Sequence, residues 1–151
     1  MSILKHRPEA IELSDWEKLT ENGASVWAVG SRTISGASKP DSDFDFLVLT
    51  SRPIPDAIQN LDYELEVGDK HYEPSDGAFN SWRKGRINLI ATYDRRFARN
   101  FLIANSVAQE LGIKDRKDRV TLFQAIRYSK SPRPVFPLLS QMSDTGDEIP
   151  F

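Results

Sequence analysis

GSRTISGASKPDSDFDFLVLT, residues 30 to 50, links the end of one apolar run to the start of the next and places Asp43 and Asp45 where a buried strand would carry neither. The two runs, SVWAVG (25–30) and FDFLVLT (44–50), are rich in Val, Phe and Trp and bounded by Gly, Ser and Pro, so both read as strands. Side chains alternate along a strand, so Asp43 and Asp45 share one face while Phe44 and Phe46 turn the other way into a core. Their Cα atoms are expected about 6.5 to 7 Å apart at roughly 3.3 Å rise per residue, which lets both carboxylates converge on one magnesium or straddle a pair of ions. Like charges so placed repel unless a cation neutralises them. The alternative is a pair of exposed acids at a strand entrance, and Asp-Ser-Asp is also turn chemistry.

Gly30 closes the first strand where a side chain would obstruct close approach, and Ser31 adds a hydroxyl. Successive backbone N–H groups in such a turn can cradle phosphate oxygens, and Arg32 adds a charge for the same anion. Strand, Gly-Ser, eleven residues and Asp-x-Asp on a neighbouring strand make a nucleotide-sized site, with phosphate on one strand and metal on the other.

At 151 residues the chain suits a single domain. No apolar run approaches the roughly 20 residues of a membrane helix, so no membrane association is expected. The N-terminus is interrupted by Pro8 and acidic too early for a secretory signal, and there is no cysteine. A cytoplasmic location follows as the expectation. The net charge of −2 hides a segregation: residues 1 to 82 hold 7 Lys/Arg against 15 Asp/Glu, and residues 83 to 133 hold 13 against 4. The basic block suits an anionic partner such as nucleotide or nucleic acid, or equally a set of solvated helix faces.

A helix is expected over 9–22, with Ser14 and Glu17 as a capping box, and another from Pro55 through Glu66, with Ile58, Leu61 and Leu65 on one face. Residues 68–77 read as loop. FNSWRKGRINLIATYD (79–94) reads as a hairpin turning at Lys84-Gly85, which would set Asn88 across from Ser81. Two helices follow, one carrying Phe97, Phe101, Ala104, Ala108 and Leu111 and stopped by Gly112, the other carrying Val120, Phe123 and Ile126. Residues 129–151, with Pro132, Pro134, Pro137 and Pro150, read as an extended or disordered tail after a domain spanning 1–128.

The strand VWAVGS followed by DFDFLV resembles the DNA polymerase beta-like nucleotidyltransferase superfamily, especially its small single-domain members. The clear motif covers about 26 residues, Ala24 to Leu49. The resemblance implies an α/β (α+β) fold, a short mixed sheet backed by helices, and transfer of a nucleoside monophosphate from an NTP, ATP first, to an acceptor. It implies Asp43 and Asp45 as Mg²⁺ ligands, and Gly30 and Ser31 as the triphosphate site. SWRKGRINLIAT followed by KDRVTLFQAI also looks like small proteins of this type encoded by tailed bacteriophages, which would place the chain in host cytoplasm.

Catalytic members of that superfamily supply a third carboxylate from a later strand. The matching stretch here is Ile87-Asn88-Leu89-Ile90, so the third position is Asn88, which carries no charge and cannot serve as a base. Asp94 and Asp41 are the candidate substitutes; a one-metal enzyme and a catalytically silent nucleotide-binding domain are the alternatives. DRRFAR (94–99) and KDRKDR (114–119) can meet phosphates of a nucleic acid, Trp82 or Tyr93 can stack a base, and residues 83–133 can take a nucleic-acid or protein acceptor. The aspartates interleaved in KDRKDR favour pairing along the helix surface. His6 and His71 have no metal-ligand spacing.

Overall fold

The computed structural model describes residues 2–51, 58, 61–67 and 79–127. Five strands form one mixed sheet: β1 (Ser25–Val29), β2 (Phe44–Leu49), β3 (Glu64–Val67), β4 (Asn80–Lys84) and β5 (Ile87–Thr92). Their order across the sheet is β1-β2-β5-β4-β3. Only β2 and β5 run parallel; the other neighbours are antiparallel. The helices are α1 (Leu13–Glu21), α2 (Arg95–Leu111) and α3 (Arg116–Arg127), with a single 3-10 turn at Ser31–Thr33. The fold is therefore α+β, a mixed sheet with helices on both faces.

The alternation read from β2 sorts the core into two layers. Phe46 and Val48, with Val26, Leu89 and Trp82 from neighbouring strands, pack beneath Leu19 of α1 and Ile11 ahead of it. Leu47 and Leu49, with Trp27 and Val29, pack under Phe97, Ala98 and Leu102 of α2. Asp43 and Asp45 belong to this second face, at the entrance of β2. Asp94 starts α2 by accepting the N–H groups of Arg96 and Phe97 at 2.9 and 3.3 Å. Gly112 ends it in the left-handed conformation at φ 66°. No residue of α3 is fully buried; the helix rests on α2 through Phe123, whose ring lies 5.6 Å from Phe97 and 5.4 Å from Phe101.

Several expectations change. The first helix begins at Leu13, with Glu12 as its cap, so Ser14 already lies inside it and no capping box forms. The hairpin turns at Gly85-Arg86, because Lys84 pairs with Ile87, and Asn88 lies across from Arg83. A one-position error in a turn moves the partner by two residues, so the face is preserved. Glu64–Val67 is a strand, not the end of a helix. Ile58 and Leu61 are buried beside α1. Pro55, Asp56, the loop at 68–77, His71 and the tail at 129–151 lie outside the described residues. Among those described, no helix is long and apolar enough to cross a membrane.

Candidate functional site

Val29 pairs with Asp45 across β1 and β2, so the chain leaves β1 directly beside the second aspartate. Gly30 takes φ 80° and ψ −162°, a region open essentially to glycine alone. A Cβ there would fall onto the Asp45 carboxylate. The Gly30 N–H donates to Asn105 Oδ1 of α2 at 2.9 Å, and Asn105 Nδ2 donates to Thr33 Oγ1 at 3.1 Å. The Gly-Ser turn is thus pinned to α2, and the Gly30 amide is already used.

Asp45 pairs in register with Asn88 on β5. Asn88 Nδ2 donates to Asp45 Oδ1 at 3.2 Å, while Asn88 Oδ1 accepts from the buried Ser81 hydroxyl at 2.6 Å. An ionised carboxylate only accepts, so Asp45 turns the amide NH₂ toward itself and the amide oxygen toward Ser81. Asp43 has a different partner: Arg83 Nη2 donates to Asp43 Oδ2 at 3.0 Å, and Arg83 Nε donates to Glu66 Oε2 at 2.7 Å. One oxygen of each aspartate, Asp43 Oδ1 and Asp45 Oδ2, has no hydrogen bond among the described residues.

These surroundings pull the two carboxyls apart in acidity. The Arg83 hydrogen bond holds Asp43 below the usual carboxylate range, partly opposed by burial and assisted by the charges of Arg83, Arg116 and Arg86. Burial pushes Asp45 up, opposed by the Asn88 hydrogen bond, assisted by the Asp43 charge, and moderated by Arg119 and Arg83. Divergent environments for paired carboxylates are a mark of functional sites.

The aspartates open into a cleft of about 590 Å³ between the sheet and the helices. Gly30, Ser31, Asn88 and Ser81 line it with them, and Phe97, Phe101 and Phe123 line its apolar part. The opposite wall is α3, which contributes Arg116, Arg119 and Arg127. Arg119 Nε is buried without a hydrogen-bond partner among the described residues. Asp115 caps α3 by accepting the Lys117 N–H at 2.8 Å. No ion pair links Arg116 or Arg119 to the interleaved aspartates among the described residues, contrary to the surface pairing expected for KDRKDR.

The structure thus brings together Gly30, Ser31, Asp43, Asp45 and Asn88, but not every expected group. Arg32 donates to the Ser42 carbonyl at 2.7 and 3.2 Å and stacks 3.8 Å over the Phe44 ring, so it braces the turn on the other face of β2. Asp94 is at the far end of β5, some 20 Å along the strand at roughly 3.3 Å per residue, where it caps α2. Asp41 is exposed in the turn before β2 and does not line the cleft. Trp82 is only 4% exposed and packs in the opposite core layer, so it offers no face to a base. Arg83, Glu66, Arg116 and Arg119 enter the site without having been singled out individually. The α3 arginines had a signal: Arg116, Arg119 and Arg127 follow helical spacing on the side of Phe123.

No family model, curated protein or solved structure matches the chain.

The donor set fits magnesium in part. Two hard carboxylate oxygens on one strand face have no hydrogen bond among the described residues, and the missing side chain of Gly30 makes room for the Asp45 carboxylate. Among the described residues no group of three or more His, Cys, Asp or Glu is gathered for a metal. An ion here would therefore take its remaining ligands from phosphate oxygens and water, as magnesium commonly does.

Proposed function

We propose that the chain is a magnesium-dependent nucleotidyltransferase-type domain that binds an NTP and transfers its nucleoside monophosphate to an acceptor. The observation carrying this reading is the meeting of Gly30-Ser31 with Asp43 and Asp45 on one sheet face, across a 590 Å³ cleft from the α3 arginines. Asp43 Oδ1 and Asp45 Oδ2 would hold the ion. When bound, magnesium supplies positive charge to polarise the phosphates and stabilise the pyrophosphate that leaves.

The chain's own groups divide the remaining work. Gly30 makes room for the Asp45 carboxylate, and Asn105 fixes the turn that presents Ser31. The Ser31 hydroxyl has no hydrogen bond among the described residues and lines the cleft, so it can donate to a phosphate oxygen. Arg116 and Arg119 supply fixed positive charge opposite the aspartates, where a triphosphate would lie between the two walls. The apolar rings deeper in the cleft exclude water and strengthen these charge interactions.

A second reading, a catalytically silent domain that binds nucleotide, is favoured by Asn88 standing opposite Asp45 in the position of an acid. Losing a general base alone removes about 10²- to 10⁴-fold in rate. Incubation with α-labelled ATP, Mg²⁺ and a cell extract as acceptor source separates the readings. The enzyme reading expects labelled product from the native chain and none from Asp45→Asn. Nucleotide binding without transfer selects the silent domain, and transfer that persists in Asp45→Asn contradicts the enzyme reading.

A further inference from the structure

We propose that Arg83 is a resident cation occupying the place of a second metal ion, so that the site takes one divalent ion rather than two. This rests on the metal reading of Asp43 and Asp45, and extends it to a residue that no sequence motif marks.

The two sides of the aspartate pair are differently furnished. Toward β5 and β4, Asp45 Oδ1 is covered by the Asn88 NH₂ at 3.2 Å and Asp43 Oδ2 by the Arg83 guanidinium at 3.0 Å. Two hydrogen-bond donors, one of them permanently charged, therefore face the space in which a second cation would need acceptors. Toward β1, Asp45 Oδ2 lies against Gly30, where a Cβ would strike it. Among the described residues, Asp43 Oδ1 and Asp45 Oδ2 are the aspartate oxygens left without a hydrogen bond.

Arg83 is held in this place from two directions. Its Nη2 binds Asp43 while its Nε binds Glu66 at 2.7 Å, and Glu66 sits where the β3–β4 register breaks between Leu65 and Val67. A guanidinium is planar, always charged and able to bridge two carboxylates, which a strongly hydrated ammonium does less well. Asp43, Asp45 and Glu66 are the acids lining the cleft among the described residues, and Arg83 is the cation hydrogen-bonded to two of them. Arg83 pairs with Asn88 in the β4–β5 register. The uncharged residue and the arginine across from it thus form one unit, in which a guanidinium replaces both an acid and the ion that acid would hold.

Titration with Mn²⁺ alone, followed by the electron paramagnetic resonance signal of the free ion, counts the sites. The native chain is expected to bind one Mn²⁺ and Arg83→Gln two, the second through the released Asp43 and Glu66. Arg83→Gln combined with Glu66→Gln should return to one, and Arg83→Lys, which keeps the charge, should remain at one. Two ions on the native chain would overturn this inference while leaving the metal site standing. One ion on Arg83→Gln would overturn the role of Arg83, and no ion on the native chain would overturn both this inference and the metal reading. The native count needs no variant, so it decides even if a substitution impairs folding.

Discussion

Gly30 stands where a side chain would strike the Asp45 carboxylate, and it holds a backbone conformation that other residues resist. The first strand therefore ends in glycine for two separable reasons, backbone strain and access to the acid. Gly30→Ala should destabilise the fold by about 1–3 kcal/mol from the backbone alone and should also displace Asp45. Urea denaturation measures the first effect, and Mn²⁺ binding by the refolded variant measures the second. An Ala variant of native stability would contradict the account of this turn.

Asp45 should reduce the stability of the fold it serves. Its carboxyl is pushed up by burial, so its stabilising contribution is present below the ordinary carboxylate range and is lost as pH rises through the raised value. Asn at this position removes the charge and retains an oxygen for Asn88. Asp45→Asn is expected to be more stable than the native chain by about 1 kcal/mol at pH 7, with the gap closing toward pH 4, while losing Mn²⁺ affinity. Denaturation curves across that pH range check the sign.

Asp43 behaves in the opposite sense. The Arg83 hydrogen bond holds its carboxyl low, so its contribution is present above the ordinary range and fades as acid protonates it. The pair is partly exposed, 33% for Arg83 and 41% for Asp43, and such ion pairs contribute roughly 0–1 kcal/mol. Asp43→Asn should therefore cost less than about 1 kcal/mol at pH 7, and the loss should shrink in acid.

Asn105 links α2 to the Gly-Ser turn through a buried hydrogen bond. Asn105→Ala leaves the Gly30 N–H without its acceptor, which should cost about 1–3 kcal/mol. Hydrogen exchange at the Gly30 amide should accelerate more than the global loss of stability explains. Unchanged exchange would mean that the turn holds itself.

Arg119 and Arg116 should separate binding from stability. Neither forms an ion pair among the described residues, so Arg119→Ala should leave the unfolding free energy within about 0.5 kcal/mol of native. Mg-ATP affinity should fall about tenfold, the equivalent of about 1.4 kcal/mol. Calorimetry at low ionic strength, where screening is weak, reads that loss.

Much of this arrangement is legible in the sequence, and the exceptions have physical causes. The strands at 25–29 and 44–49 are continuous apolar runs with sharp boundaries, and Phe97, Leu111 and Gly112 mark α2 unambiguously. The face shared by Asp43 and Asp45 follows from period-two alternation, whereas Asn88 joins it through the parallel β2–β5 register, a tertiary pairing. Strand β3 was hidden because Glu64–Val67 is short and polar at alternate positions, and it continues a segment, Ile58 to Leu61, whose spacing also suits a helix. Arg83 and Glu66 could not be assigned to the site without it, since their meeting depends on which strand lies beside β4. The Asn88 amide orientation is likewise a tertiary fact, set by Ser81 on one side and Asp45 on the other.

Calorimetric titration of the native chain with ATP in the presence and absence of Mg²⁺, repeated on Asp43→Asn and Asp45→Asn, tests the aspartate pair as a Mg-nucleotide site. Saturable binding that strengthens with Mg²⁺ and weakens at least tenfold in each variant is expected. Binding that ignores Mg²⁺ and both aspartates, or no binding by the native chain, would contradict it.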